Sequence, residues 1–364
     1  MVSTNSHSRK NKVAILIENG VEDSEFQLPY KALKQADIEV SVLGSRMNEA
    51  YKGKKGKVSH VADGTTSEAM ASDFDAVIIP GGMAPDKMRR NPNTVRFVQE
   101  AMSQGKVVAA VCHGPQLLIE GDLLKGKTAT GFSAISKDMI NAGANYQDKT
   151  LVVDGNLITS RQPGDLPMIC TAILSRLGYG GQEADLPSDN DPNAEWWKIA
   201  DAWGGSHKSD IVSGLNTVLA GERYSHEALQ KYAEKASYYM DIKSLFQEMI
   251  ASKEVHIQKL EARLKQLDEK PSLTTKIAEG YAKVKNAIKG SDDIYQIRCA
   301  LGDVQTAVND VGRMMAAFTD PVTTEIFTEI QKDLMTHEQL LVELYRAKMG
   351  SELKPAKPTT GTAV

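Results

Sequence analysis

The hydrophobic pattern changes character midway along the chain. Up to about residue 177, short unbroken apolar runs alternate with amphipathic stretches, whereas beyond residue 209 apolar residues recur at three- and four-residue steps. In the first half, residues 12–17, 75–79 and 106–111 are continuous apolar runs rich in Val, Ile and Ala, the pattern of parallel strands buried on both faces, and residues 39–43 read as a further strand. Between them, residues 25–36, 94–104 and 116–121 read as helices. Residues 150–153 and 157–160 flank Asp154-Gly155-Asn156, a hairpin signal, and residues 166–177 close the pattern as a helix. This alternation predicts an α/β domain over residues 12–177 built on a doubly wound, mostly parallel sheet.

Strand signals vanish from residue 209 to 349. Helical stretches are predicted at 209–236, 239–268, 272–289 continuing into 294–317, and 321–348. Leu245, Met249, Ile257, Leu260, Leu264 and Leu267 form an apolar stripe, and Pro271 and Pro321 stand at helix starts. These features predict an all-α four-helix bundle. Residues 178–208, rich in Asp, Pro, Asn and Gly but holding Trp196, Trp197 and Trp203, read as a linker that docks its tryptophans on one of the domains. Residues 1–11 and 350–364 read as disordered tails.

Composition narrows the partners more than the fold. A length of 364 residues exceeds what one core usually serves, consistent with two domains. The net charge of −4 argues against nucleic acid as a partner, and the densest basic run, at 52–57, is broken by glycines and reads as an exposed turn. No apolar run is long enough to span a membrane, and residues 1–12 lack the apolar core of an export signal. Cys112, Cys170 and Cys299 are sparse and show no metal-type spacing, as expected for a reducing cytoplasm.

One of these cysteines sits where chemistry is expected. The segment Val108-Ala-Ala-Val-Cys-His-Gly-Pro-Gln116 runs from a buried strand into a helix, with Gly114 and Pro115 in the bend. Such an elbow projects its apical side chain beyond the carboxyl end of the sheet, where open α/β folds bind ligands. A thiol at a helix start is expected to favour thiolate. The alternative is a small buried cysteine that merely packs; His113 and the Gly-Pro bend speak against it.

The same stretch resembles the PfpI-like intracellular protease and protein deglycase family, a branch of the class I glutamine amidotransferase-like, flavodoxin-like fold. The matching residues are Glu22-Asp-Ser-Glu-Phe26, Pro80-Gly-Gly82 with Ala84-Pro-Asp86, and Ala110-Val-Cys-His-Gly-Pro-Gln-Leu-Leu118. Asp138-Met-Ile-Asn-Ala-Gly143, Val152-Val-Asp-Gly155 and Thr159-Ser-Arg161 through Asp165-Leu166 complete the set. The resemblance implies that Cys112 is a nucleophile, that a protonated Glu25 hydrogen-bonds its sulfur, and that His113 moves protons. It further implies that Asp86 from an adjacent subunit orients His113, although the family more often has Glu there, and that the amides of Gly82 and His113 form an oxyanion hole. The active unit would then be a homo-oligomer, at least a dimer, needing no cofactor. Implied substrates are glyoxal and methylglyoxal adducts, as small carbonyl compounds or glycated protein. Oxidation of Cys112 as a redox sensor and peptidase action are the alternatives.

The helical half resembles a bacterial ferritin-like family of unknown function through Leu229-Gln-Lys-Tyr-Ala233, Ile242-Lys-Ser-Leu-Phe246 and Tyr281-Ala-Lys-Val-Lys285 with Gly290-Ser-Asp-Asp293. Di-iron bundles need a Glu from each of two helices and Glu-x-x-His from each of the others. Here Lys253 precedes His256, and Leu334 precedes His337, so both pairs are broken. Hydrogen-bonded or solvated histidines are therefore the leading expectation, with Glu222, Glu254, His256, Asp303, His337 and Glu338 as the residual metal candidates.

Overall fold

The computed structural model describes residues 10–179, 186–236, 238–272 and 292–349. The tail at 350–364, most of the tail at 1–11, part of the expected linker and the predicted helix at 272–289 lie outside the described residues. The chain divides into two compact units, 1–207 with 319–321, and 208–318 with 322–364.

The first unit opens with β1 (Lys12–Leu16), α1 (Asp23–Gln35), β2 (Glu39–Gly44), the small pair β3 (Ala50–Lys52) and β4 (Ser59–Val61), and β5 (Gly64–Thr65). It continues through β6 (Ala76–Ile79), α2 (Ala84–Met88), α3 (Pro92–Ser103), β7 (Val107–Val111) and α4 (Pro115–Glu120). Next come β8 (Thr128–Ala129), α5 (Ser136–Asn141), β9 (Asn145–Tyr146), β10 (Leu151–Asp154), β11 (Leu157–Ser160) and α6 (Leu166–Arg176). A seven-stranded sheet runs in the order β10-β11-β7-β6-β1-β2-β5, and every adjacent pair is parallel except the β10–β11 hairpin.

The expected doubly wound α/β architecture is the one observed. The runs that lack alternation are those buried on both faces: Val13 to Leu16, Ala76 to Ile79 and Val108 to Val111 are all almost fully shielded. Residues 178–208, expected to be a linker, contribute a helix, α7 (Trp196–Ala202). Trp196 and Trp203 are buried in the same core as the sheet, and Trp196 donates its indole N–H to Asp191 O at 3.0 Å. Their apolar area explains why so polar a stretch packs here.

The second unit is helical: α8 (Lys208–Lys235), α9 (Met240–Gln266), α10 (Asp293–Met315) and α11 (Pro321–Met349). Asp292 caps α10 by accepting the Ile294 N–H at 3.2 Å. Ile211, Leu215, Phe246, Met249, Leu260, Leu264, Ile297, Phe327 and Ile330 are among its buried side chains.

Candidate active site

β7 delivers the chain to a sharp turn in which Cys112 adopts φ 59°. A non-glycine residue in the left-handed region costs about 1–2 kcal/mol and persists only where its surroundings dictate it. Backbone bonds do so here. Cys112 N–H donates to Ser160 O at 3.0 Å, Phe132 N–H to Cys112 O at 2.8 Å, and Gly114 N–H to Val111 O at 2.7 Å. Ser160 is held in turn by the corner that follows β11. Arg161 donates its backbone N–H and Nε to Asp165 Oδ2 at 3.0 and 3.2 Å, and Nη1 to Asp148 at 3.1 Å. Pro115 starts α4, as its fixed φ allows.

Glu25, in the first turn of α1, is fully buried against the Cys112 thiol, and its Oε2 accepts the Gly81 N–H at 2.7 Å. Gly81 has no alternative. A Cβ there would lie 2.7 Å from Glu25 Oε2 and 2.8 Å from Cys112 Cβ. The backbone amides of Gly82, at φ +75°, and of His113 both bear on Sγ. Burial, and after it the charge of Glu22, push the Glu25 carboxyl up to about 8. Burial, and after it Glu25, push the Cys112 thiol up as well, while the Gly82 and His113 amides pull against them. The expectation that the helix start alone would favour thiolate is thus corrected: burial opposes it. When Glu25 holds the proton, its negative charge is gone and its O–H can donate to sulfur. Cys112 and Glu25 are thus electrostatically coupled, and burial favours the protonated form of each.

His113 Nδ1 is 3.3 Å from Cys112 Sγ, and its ring packs on Phe132 with centroids 4.9 Å apart. Burial, reinforced by the charge of Lys54, lowers the imidazole from its ordinary value and so favours its neutral form. Asp86 does not join the cluster within the chain. Its side chain is 61% exposed on α2 and pairs with Arg89. Sequence reasoning gave no individual role to Gly81, Glu22, Lys54 or Phe132. Glu22 was visible only as part of a motif, and Phe132 has no local signal because the turn after β8 brings it in.

The candidate metal residues of the bundle do not gather in one place. Glu222 on α8 is buried, accepting from Lys253 Nζ at 2.8 Å and lying 2.7 Å from His256 Nδ1. His256 Nε2 reaches Asp333 at 2.8 Å. Burial pushes the Glu222 carboxyl up, but Lys253 and His256 outweigh it and hold it below the usual range. Asp303 lies elsewhere, accepting the Tyr232 O–H at 2.9 Å, and its carboxyl is raised to about 6 by burial. Glu254 pairs with His226, Glu338 accepts from Gln305, and His337 is buried with Nδ1 unpartnered. Among the described residues no group of three or more His, Cys, Asp or Glu could hold a metal ion. The ammonium of Lys253 already serves the carboxylate that a metal would use, so this donor set does not fit one.

The first unit is thus a doubly wound α/β domain that sets a strained cysteine elbow against a buried carboxyl. The chain belongs to the DJ-1/PfpI family, whose sequence pattern matches residues 11–176. Residues of this first unit are 43% identical to General stress protein 18 of Bacillus subtilis, covering 46% of this chain and 97% of that one. They are 40% identical to Protein/nucleic acid deglycase 2 of Escherichia coli, over 46% of this chain and 98% of the other. The whole chain resembles a solved two-domain protein from Anabaena variabilis with DJ-1/ThiJ/PfpI-like and ferritin-like domains. The identity is 68% with a TM-score of 0.90, over 97% of this chain and 100% of that one. The helical unit is accordingly ferritin-like in fold.

Proposed function

We propose that the first unit is a cysteine-dependent hydrolase acting on reactive-carbonyl adducts of the glyoxal and methylglyoxal type, in stress protection. The observation that carries this reading is the buried Glu25 carboxyl against Cys112, raised to about 8, with two backbone amides converging on the sulfur. In this reading Cys112 thiolate adds to the carbonyl carbon. The S–C bond forms, the C=O π pair moves to oxygen, and the amides of Gly82 and His113 stabilise that oxyanion until it re-forms C=O and expels the amine, which takes its proton through His113; water then displaces the sulfur, breaking the S–C bond and returning the thiol. Net hydrolysis of an adduct adds one water, with hydroxyl on the carbonyl carbon and hydrogen on the freed amine. The relatives named as a deglycase and a stress protein support the same reading.

The active unit would be a homo-oligomer, at least a dimer, in which Asp86 of one subunit orients His113 of the next; its exposure suits that role. The three free thiols suit a reducing cytoplasm. Turnover of methylglyoxal by the reduced full chain is the test. Wild type is expected to consume it and Cys112→Ser to fall to the rate of buffer alone; an inactive wild type would overturn the proposal. A second reading, redox sensing, draws on the same Glu25 proton, which could hydrogen-bond oxygens added to Cys112. It predicts a sulfinate on Cys112 after mild peroxide, without turnover.

A further inference from the structure

The basic turn that follows β3 is fastened to the cysteine site through one residue. Val21 pairs with Gly53 on one side and with Gly82 on the other. Lys54 N–H donates to Val21 O at 2.8 Å, and Met83 N–H to Gly20 O at 2.9 Å. Three backbone segments, 53–54, 20–22 and 81–83, therefore lie side by side. Extended segments paired in this way are about 4.8 Å apart, which sets the Lys54 backbone about 10 Å from Gly82. That gap is within the combined span of a lysine stem and a small substrate.

The turn is also rigid. Asp23 accepts the backbone N–H of Lys55 and of Val58, both at 2.7 Å. Glu22, nearly buried, pairs with Lys55 at 2.9 Å and with Lys54 at 3.6 Å. Residues 52–57 hold four lysines, Lys52, Lys54, Lys55 and Lys57, whereas the carboxylate that pairs with their side chains is Glu22, so the turn carries positive charge in excess. Half of the Lys54 side chain is exposed, and Lys54 is the charged group whose field is felt at His113. A neutral hydroxyl or methyl on a substrate gains nothing from such a neighbour; an anion does.

We propose that Lys54 makes the Cys112 site select carbonyl compounds that carry a carboxylate beside the reacting carbon. The inference deepens the hydrolase reading and rests on it for turnover, but its test does not depend on turnover. Cys112 of the reduced full chain is alkylated with iodoacetate, which is anionic, and with iodoacetamide, which is neutral, and the modified peptide is followed by mass spectrometry. Both reagents consume the same thiolate, so their rate ratio cancels any change in its population. The ratio is expected to be five- to tenfold higher, to order of magnitude, in wild type than in Lys54→Gln, to survive in Lys54→Arg, and to shrink in about 0.5 M salt.

Glyoxylate, an anionic aldehyde, should protect Cys112 from iodoacetamide at lower concentration than propionaldehyde, through a reversible hemithioacetal in which sulfur adds to carbon and the alkoxide takes one proton. That advantage should also disappear in Lys54→Gln. Equal ratios in wild type and Lys54→Gln overturn the inference, whether or not methylglyoxal is turned over. A retained ratio in a wild type that turns over no carbonyl compound supports anion selection and overturns the hydrolase reading instead.

Discussion

At the scale of single residues, the consequential arrangement is a carboxyl and a thiol sealed together. Glu25 is raised from its ordinary 4.5 to about 8, so the folded state binds its proton more tightly than the unfolded chain does. The stability this contributes is complete below about pH 4.5 and is lost as pH rises through about 8, a change of up to about 5 kcal/mol. The melting temperature of the first unit should therefore fall between pH 4.5 and 8 in wild type. In Glu25→Gln that part of the slope should vanish; parallel curves for the two proteins would show that Glu25 does not retain its proton. Cys112 was legible because an apolar run meets a Gly-Pro bend at that point. Glu25 was legible only through the family resemblance, because alone it is a first-turn helix acid. Its burial depends on Gly81, 56 residues away, closing over it.

At the scale of elements, what the sequence displayed best was burial. The strands without alternation, β1, β6 and β7, are the central ones, while β5, β8 and β9 have two residues each and no periodicity to detect. In the bundle the broken Glu-x-x-His pattern was visible, but what replaced it was not. Lys253 and Glu222 are on adjacent long helices, and only folding shows that the lysine answers the carboxylate. Breaking a buried pair from one side leaves an uncompensated charge and costs about 3–5 kcal/mol, whereas removing both charges can be near neutral. Lys253→Met is expected to lower the bundle's unfolding midpoint sharply, and Lys253→Met with Glu222→Gln to recover most of the loss. A double variant no better than the single one would show that the pair is not coupled. EDTA should leave the wild-type transition unmoved.

At the scale of the whole molecule, the chain joins two separately organised units, and among the described residues no helix is long and apolar enough to cross a membrane. The shared site proposed for the first unit has a direct consequence. Cys112→Ser lacks a nucleophile and Asp86→Ala lacks the orienting carboxylate, each on its own chain. If the carboxylate acts across a two-fold interface, mixing and re-equilibrating the two inactive proteins should restore about a quarter of wild-type turnover, since half the dimers are mixed and each holds one complete site. No recovery would place Asp86 outside the site. Such a role for Asp86 entered only through the family resemblance, because a charge that serves a neighbour looks like any exposed acid within one chain.

The lysine inside the bundle bears on how the protein matures. A centre assembled around an ion must wait for that ion, and its yield follows the supply. Here the cation beside Glu222 is written into the polypeptide as Lys253 and arrives with translation, so this buried carboxylate is answered as soon as its helices pack.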